Sequence, residues 1–294
     1  MVRIDEPRDL KTDVPLHPLT SLRVGGKARF FAEPVEVAAV ADLLRWTTAT
    51  TVDWACLGGG TNVLVPDAGL KRLLIRTTAL RGLSIDGNRV TAAAGEPLAR
   101  VARLACEAGL SGLEWACGIP GTVGGAVVMN AGTREGETGD VLSDVTEVDE
   151  KGSTRRREAV ELGLGYRRSA FLDGALRGVI VGASFELASS LPERTLSTVR
   201  RLLDERARRF PEGATAGCTF RNPLEGPTAG ELLDRAGCKG LRVGDAHVST
   251  VHANFIVNDG AENAADVLQL IEAMKARVKD VFGVELVEEI VVFS

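Results

Sequence analysis

The chain carries the stretch GIPGTVGGAVVMNAG at residues 118–132, and 5 of its 15 positions are glycine. Glycine loses more backbone entropy on folding than other residues, so a plain surface turn seldom contains this many. A flat ligand lying against bare backbone explains the cost, and a compact structural loop is the alternative. Helical patterns before the stretch and strand-like patterns after it predict a mixed α+β fold.

A second glycine cluster, GGGTN at residues 58–62, follows the strand-like residues 54–57. Successive backbone N–H groups in such a turn can bind a phosphate. The standard nucleotide motifs do not fit, because Val63 stands where GxGxxG requires glycine and the GK[ST] of a P-loop is absent. An ordinary tight loop therefore stays open as the alternative.

Hydrophobic periodicity predicts the remaining elements. It indicates helices over residues 35–46, 97–108, 194–209 and 263–281, and strands over residues 53–57, 72–76, 90–94, 145–148, 178–187 and 289–293. Residues 1–15 are interpreted as a polar lead-in, residues 82–88 as a turn-rich join and residues 188–193 as a linker. The pattern predicts three α+β units.

Composition excludes several classes of protein. A net charge of −5 over 294 residues argues against nucleic acid as the main partner. The 5 cysteines include no CxxC pair, which indicates neither a disulfide framework nor a zinc site and favours reduced thiols in a cytoplasm. His247 and His252 lack metal-ligand spacing, so no metal is expected. With no signal-peptide core and no long apolar run, no membrane insertion is expected either.

Further stretches combine residue types that can carry chemistry. They are YRRS at residues 166–169, GCTFRNP at 217–223, AGCKG at 236–240, HANFIVN at 252–258 and the glutamate pair Glu288–Glu289. An arginine beside Tyr166 can hold a carboxylate or phosphate with its planar fork. Cys218 can act as a weak acid. Each stretch also has an ordinary structural explanation as a surface loop, a small buried residue or an exposed strand.

Taken together, the order and spacing of these stretches resemble the UDP-N-acetylenolpyruvoylglucosamine reductase family, from about residue 16 to residue 293. The resemblance implies a two-part FAD-binding fold of the PCMH type, residues 1–85 and 86–190, with FAD between the parts. A smaller α+β substrate-binding domain follows at residues 191–294. It further implies NADPH as co-substrate, UDP-N-acetylglucosamine enolpyruvate as substrate and no obligate protein partner.

The resemblance also implies which residues contact FAD, and all of them lie in the two glycine clusters. They are Gly58, Gly59, Gly60, Thr61, Asn62, Ile119, Pro120, Gly121, Thr122, Gly124 and Gly125.

For the reaction, the resemblance implies Arg167 as the active-site arginine, Cys218 as the proton donor and Glu289 as the catalytic glutamate, with Tyr166 and Asn222 at the substrate. Three positions depart from the family pattern. Cys218 replaces the commoner serine, Glu288 stands where proline is common, and Val291 stands where some members carry arginine. A flavin oxidase of the same FAD-binding fold, a non-catalytic ligand-binding regulator and a structural protein are the competing hypotheses.

Overall fold

The computed structural model describes residue 7 and residues 9–293 of the chain. The α-helices in this part of the chain are α1 Val37–Thr50, α2 Leu98–Glu107, α3 Val123–Met129, α4 Pro192–Arg209, α5 Ala229–Arg235 and α6 Ala265–Phe282. Short 3₁₀ segments cover His17–Leu19, Glu114–Gly118, Thr138–Asp140 and Ala159–Leu162. The predicted helices are confirmed, with ends that move by a few residues.

The strands are short and are numbered in chain order. They are β1 Lys11–Pro15, β2 Lys27–Ala32, β3 Trp54–Leu57, β4 Val63–Leu64, β5 Leu70–Arg76, β6 Leu83–Asp86, β7 Arg89–Ala93, β8 Leu110–Ser111, β9 Gly132–Thr133, β10 Gly136–Glu137, β11 Leu142–Asp149, β12 Thr154–Glu158, β13 Gly178–Glu186, β14 Ala188–Ser189, β15 Arg242–Val243, β16 Ala246–Val248, β17 Ile256–Asn258 and β18 Val291–Val292.

The described residues form two compact units. The first comprises residues up to 12, 30–59 and 72–205, and the second comprises residues 13–29, 60–71 and 206–293. Of the predicted polar lead-in, residues 1–6 and 8 lie outside the described residues, while residues 11–15 form strand β1, so the lead-in interpretation was wrong there. The predicted domain boundaries near residues 85 and 190 stay a prediction.

A five-stranded antiparallel sheet with strand order β12-β11-β13-β7-β6 organises the first unit. The prediction of a turn-rich join at residues 82–88 was wrong, because residues 83–86 form strand β6. Leu83 pairs with Ala92 and Asp86 with Arg89, and Gly87 with φ of 55° makes the hairpin turn. Leu83 and Ile85 do alternate with polar residues in β6, but the run is only four residues long and stands between Gly82 and Gly87, so the turn residues dominated the sequence pattern.

The central strands β11 and β13 are buried on both faces of the sheet, and β13 contains a bulge. Thr146 pairs with Gly182 while Glu147 pairs with Ile180, which leaves Val181 as the extra residue. Val181 packs into a core cluster with α1 on one face, whereas Phe185 packs with α2 and α3 on the other. The bulge reverses the alternation of inward and outward side chains halfway along the strand.

The second unit packs α5 and α6 against a small antiparallel sheet of strand order β15-β16-β17. Helix α6 buries Val267, Ile271, Met274 and Val278 on one face, as the sequence predicts, but Val281 is exposed. Strand β18 pairs in parallel with β4, with Val291 opposite Val63. This pairing places the C-terminal glutamates beside the end of the GGGTN loop.

Candidate functional site

Within the first unit, Gly58 of the GGGTN cluster lies against the 118–132 stretch. A Cβ added to Gly58 would lie only 2.5 Å from Oγ1 of Thr122, so the missing side chain allows the two segments to touch. Thr122 is the N-cap of helix α3, and its Oγ1 accepts a hydrogen bond of 3.4 Å from the Gly125 N–H. The sequence gave no sign of this contact, because the two residues lie 64 positions apart in the chain.

Gly124 and Gly125 differ in what surrounds them. A Cβ at Gly124 would lie 3.0 Å from the Cβ of Ala94, so tight packing within the protein accounts for that glycine. A Cβ at Gly125 would meet only Thr122 Oγ1, at 3.5 Å, which is ordinary van der Waals contact. Protein packing therefore does not require glycine at position 125, and a ligand lying close to the backbone would.

The other residues of the two clusters are placed as follows. Gly60 has φ of 68° and its carbonyl accepts from the Ser21 N–H at 2.9 Å. Gly121 has φ of 125° and its carbonyl accepts from the Leu98 N–H at 3.1 Å. Of the remaining positions, Pro120 is exposed, and Gly59, Thr61 and Ile119 are partly buried.

An arginine that the sequence did not single out lies beside Gly58. Arg76 ends strand β5 and pairs with Leu57, the residue that precedes Gly58. Its Nη1 lies 3.5 Å from a carboxylate oxygen of Glu33. Within the described part of the chain, its buried Nε has no hydrogen-bond partner. A buried donor without a partner is costly, which points to an acceptor that comes from a ligand.

Arg167 is held against the far end of the 118–132 stretch. Its Nη2 donates to the Gly132 carbonyl at 2.7 Å and its Nη1 to the Asn130 carbonyl at 3.4 Å. The guanidinium carbon lies 5.4 Å from the centre of the Tyr166 ring. Arg167 also has a positive φ of 52°, which a non-glycine residue adopts only when its surroundings hold it there.

Asn130 supplies much of that support and was missed by sequence reasoning. It is fully buried with φ of 41°. Its Nδ2 donates to the Gly165 carbonyl at 2.9 Å, just before Tyr166, and its Oδ1 accepts from the Gly139 N–H at 2.8 Å. Asparagine tolerates the left-handed conformation, so an asparagine ending a helix ahead of Ala-Gly was the available signal.

In the second unit the structure brings Cys218, Asn62 and Glu289 together. Cys218 forms a β-bridge with Phe255 and is half-buried. The carbonyl of the next residue, Thr219, accepts from the Glu289 N–H at 2.8 Å. The Asn62 side chain donates to the Glu289 carbonyl at 3.1 Å. The proposed acid and the proposed glutamate therefore stand on directly bonded backbone segments.

The neighbouring Glu288 has a different environment. Its carboxylate accepts a hydrogen bond of 2.8 Å from Lys275 on α6. Burial is the largest single influence and opposes ionisation of Glu288, but the hydrogen bond and charge of Lys275 together with a backbone hydrogen bond outweigh it and hold the pKa of the carboxyl below its usual range. Glu288 thus links the segment before strand β18 to helix α6.

One residue of the arginine-rich helix approaches Cys218. Most of the arginines at residues 200–209 are exposed, but Arg206 is half-buried and lies over the Phe210 ring at 4.6 Å. Burial lowers the pKa of the Arg206 guanidinium, and its attraction to the Cys218 sulfur opposes that shift. The apolar periodicity of helix α4 gave no sign that Arg206 differs from its exposed neighbours.

Asn222 and the histidines hold local structure. Asn222 Oδ1 accepts from the Ala229 N–H at 3.0 Å, where α5 begins. His252 stacks on Phe210 with ring centres 5.6 Å apart. Among the described residues, the side chains of His, Cys, Asp and Glu form no group of three that could hold a metal ion. Nor does any described helix have the length and apolar character needed to cross a membrane.

Comparison with known proteins matches both parts of the chain. A family model described as FAD binding domain matches residues 28–157, and one described as UDP-N-acetylenolpyruvoylglucosamine reductase, C-terminal domain, matches residues 209–293. UDP-N-acetylenolpyruvoylglucosamine reductase from Synechococcus sp. (strain RCC307) is 43% identical over 290 residues, covering 96% of this chain and 93% of its own length. The protein of that name from Clostridium novyi is 36% identical, covering 97% and 92% respectively.

A solved structure agrees along the whole chain. The crystal structure of UDP-N-acetylenolpyruvylglucosamine reductase from Thermus caldophilus aligns with a TM-score of 0.82 at 37% identity, covering 97% of this chain and 100% of that one. An FAD-binding domain followed by this C-terminal domain defines a flavin-dependent oxidoreductase. The chain belongs to the UDP-N-acetylenolpyruvoylglucosamine reductase family. The fold class and family predicted from the sequence are confirmed.

The residues of the first unit fit FAD. Gly58 and Thr122 join two glycine clusters into one surface of bare backbone, on which Gly125 leaves room. Arg76 adds a buried donor beside that surface. Close backbone approach and positive donors are what a flat cofactor with a pyrophosphate requires.

Proposed function

We propose that the protein reduces UDP-N-acetylglucosamine enolpyruvate to UDP-N-acetylmuramate, with FAD as its cofactor and NADPH as reductant, in the synthesis of peptidoglycan precursors. The observation that carries the proposal is the placement of Cys218 and Glu289 on adjoining backbone, linked by the 2.8 Å bond between the Glu289 N–H and the Thr219 carbonyl. A weak acid and a carboxylate supported by one framework suit protonation of a substrate carbon.

Each of the proposed site residues has a defined role in this reaction. Arg167 binds the enolpyruvyl carboxylate and stabilises the negative charge that develops there. Cys218 then protonates the adjacent carbon, and Arg206 stabilises the thiolate that remains. Glu289 orients the acid, while Tyr166 and Asn222 contact the nucleotide sugar.

Bound FAD would supply hydride chemistry at a carbon–carbon double bond. The two glycine clusters would hold the cofactor, and Arg76 would offer its buried N–H donor to an acidic group of it. Because Arg167 is already fixed by the Gly132 and Asn130 carbonyls, it meets the substrate without first being ordered.

We place the reaction in the cytoplasm, where a nucleotide-sugar substrate and reduced thiols coexist. All five cysteines carry free thiols in the structure, which is compatible with that compartment. We also propose the three-domain division at about residues 85 and 190, with the last domain serving the substrate. Limited proteolysis with mapping of the cleavage sites tests these boundaries.

The decisive experiment separates the two half-reactions. The purified yellow protein is reduced anaerobically with one equivalent of NADPH, and then UDP-N-acetylglucosamine enolpyruvate is added while the flavin absorbance is followed. We expect prompt return of the oxidised flavin band together with UDP-N-acetylmuramate. Reduced flavin that persists in the presence of substrate would refute the proposal. Rapid NADPH consumption with oxygen alone would favour the flavin oxidase hypothesis.

Replacement of Gly125 by alanine tests the cofactor surface. The new methyl group meets ordinary contact at 3.5 Å, and alanine is about 0.5–1 kcal/mol better than glycine inside a helix. The variant is therefore expected to unfold at the same or a higher temperature without FAD, while its Kd for FAD rises at least ~10-fold. Calorimetry of the FAD-free protein and titration with FAD measure the two effects.

Gly124→Ala provides the contrast. Its added Cβ would lie 3.0 Å from that of Ala94, so stability and FAD binding should fall together. If Gly125→Ala bound FAD as tightly as the parent protein, Gly125 would not face the cofactor.

The two adjacent glutamates have opposite expected effects. Glu289→Gln should lower kcat by ~10²-fold or more with little change in melting temperature, as expected of a group acting in the reaction. Glu288→Gln should keep most of the activity but lose the bond to Lys275. Because the folded-state pKa of Glu288 is lowered, its contribution to stability is present above the unfolded-state pKa and is lost as pH falls through the folded-state pKa.

Melting temperature against pH and steady-state kinetics of both variants distinguish these roles. A Glu288→Gln enzyme that is inactive beside an active Glu289→Gln enzyme would reverse the assignment.

A further inference from the structure

Glu137 contacts both residues whose carbonyls hold Arg167, and the proposed reaction assigns it no role. The Arg167 guanidinium donates to the Asn130 carbonyl at 3.4 Å and to the Gly132 carbonyl at 2.7 Å. Glu137 reaches Asn130 with its side chain and Gly132 with its backbone. The direction of the guanidinium is only as well defined as the positions of these two carbonyls, so the residue that fixes them matters for the site.

The side chain of Glu137 holds Asn130. Its Oε1 accepts a hydrogen bond of 2.8 Å from Asn130 Nδ2. Asn130 is fully buried and has φ of 41°, so its amide needs partners within the protein and its backbone needs support from its surroundings. The same Nδ2 donates to the Gly165 carbonyl at 2.9 Å, and Gly165 begins the tight turn that carries Arg167. One carboxylate oxygen thus anchors the amide that links these two segments.

The backbone of Glu137 holds Gly132. Strands β9 and β10 pair antiparallel, with Glu137 opposite Gly132. A Cβ added to Gly132 would lie only 2.7 Å from the Cα of Glu137, which is too close for any side chain. Glycine at position 132 therefore allows Glu137 to pack directly against the residue whose carbonyl accepts from Arg167 Nη2.

Glu137 is itself fixed by the 3₁₀ segment Thr138–Asp140. Its N–H donates to Asp140 Oδ2 at 2.8 Å, and its side chain accepts from the Asp140 N–H, which completes a capping box. The Gly139 N–H in the same segment donates to Asn130 Oδ1 at 2.8 Å. Because the capping box restricts the Glu137 side chain, Asn130 meets an acceptor that is already in place.

We propose that Glu137 is a positioning residue for the substrate half-reaction, acting through Asn130 and Gly132 to aim the Arg167 guanidinium at the substrate carboxylate. This role rests on the part that the proposed function gives to Arg167. Loss of the Glu137 side chain releases the two carbonyls and shifts the guanidinium, and a shift of about 1 Å can cost ~10²-fold in rate. Reduction of the flavin by NADPH does not involve Arg167 in the proposed function, so that step is independent of Glu137.

The first test compares Glu137→Ala with Glu135→Ala in the full-length, FAD-loaded protein. Glu135 lies in the same hairpin, is exposed and accepts from the Thr133 hydroxyl at 2.8 Å, so its replacement removes the same charge from the same loop. We expect flavin reoxidation by UDP-N-acetylglucosamine enolpyruvate to slow ~10–10²-fold in Glu137→Ala alone. Flavin reduction by NADPH should be unchanged in both variants. Reoxidation of Glu137→Ala at the parent rate would overturn the proposal.

A double-mutant cycle with Arg167→Ala separates positioning from a general structural role. If Glu137 acts through Arg167, Glu137→Ala should cost nothing further once the guanidinium is gone. Losses that multiply in the double variant would contradict the proposal, because Glu137 would then act without Arg167. Glu137→Gln keeps a side-chain oxygen for Asn130 Nδ2, so it should recover part of the rate. It serves in the same cycle if Glu137→Ala does not fold.

Crystal structures of the two alanine variants give a readout that does not depend on the substrate. We expect the bond from Arg167 Nη2 to the Gly132 carbonyl to be broken in Glu137→Ala and to stay at 2.7 Å in Glu135→Ala. An Arg167 that keeps both carbonyl bonds in Glu137→Ala would refute the positioning role. A parent protein that does not turn over the substrate would refute the proposed function instead, and the structures would still decide whether Glu137 positions Arg167.

Discussion

Cys218→Ala is expected to stop substrate turnover while leaving reduction of the flavin by NADPH intact. Removal of a general acid typically costs ~10²–10⁴ in rate. The loss should fall on the second half-reaction alone, because the thiol is needed only when the substrate carbon is protonated. Stopped-flow absorbance under anaerobic conditions, with NADPH first and substrate second, measures each half-reaction separately.

Cys218→Ser is the matched control for that result. A serine hydroxyl can occupy the same half-buried position, next to Thr219, whose carbonyl accepts the Glu289 N–H. The hydroxyl can still donate a proton. We therefore expect turnover between those of the parent protein and of Cys218→Ala. An alanine variant that turned over substrate at the parent rate would remove Cys218 from the mechanism.

Arg167→Ala is expected to lower kcat/KM for the substrate by ~10²–10³, the usual cost of losing a donor that stabilises developing charge. The guanidinium is pre-positioned by the Gly132 and Asn130 carbonyls, so its loss removes both charge and geometry. Steady-state kinetics with varied substrate measure the effect. Arg167→Lys should recover only part of it, because an ammonium lacks the planar fork.

Arg168→Ala controls for the loss of one positive charge in the same loop. Arg168 is exposed, and its Nε lies 2.6 Å from Asp173 in an exposed pair that contributes little to stability. The variant should retain near-parent kinetics and unfolding temperature. Equal losses in Arg167→Ala and Arg168→Ala would mean that the loop as a whole, rather than Arg167, matters.

Much of the secondary structure could be predicted because it depends on local periodicity. Helix α6 shows its buried face in the spacing of Val267, Ile271, Met274 and Val278. Strand β6 was missed because its alternating run, Leu83 to Asp86, is only four residues long, mostly exposed, and flanked by the turn residues Gly82 and Gly87. The bulge at Val181 was also beyond reach, since a one-residue shift in pairing depends on the neighbouring strand.

The candidate site shows the same division. Arg167, Cys218 and Glu289 could be predicted as site residues because their motifs stand in a family-specific order, and their roles stay a prediction. Asn130, Arg76 and Arg206 were not found, because their importance comes from contacts with distant segments. Arg206, for example, follows the same helical pattern as its exposed neighbours, and only the structure shows that it packs on the Phe210 ring.

The sequence by itself determined the family, the α+β class and the two glycine clusters, and it supplied the prediction of the reactive side chains, since all of these depend on residue type and spacing. Only the tertiary structure decided that Gly58 lies against Thr122 and that Asn62 and Thr219 hold the backbone of Glu289. Such contacts join residues far apart in the chain. Their formation depends on how whole elements pack, which short-range patterns of residues do not encode.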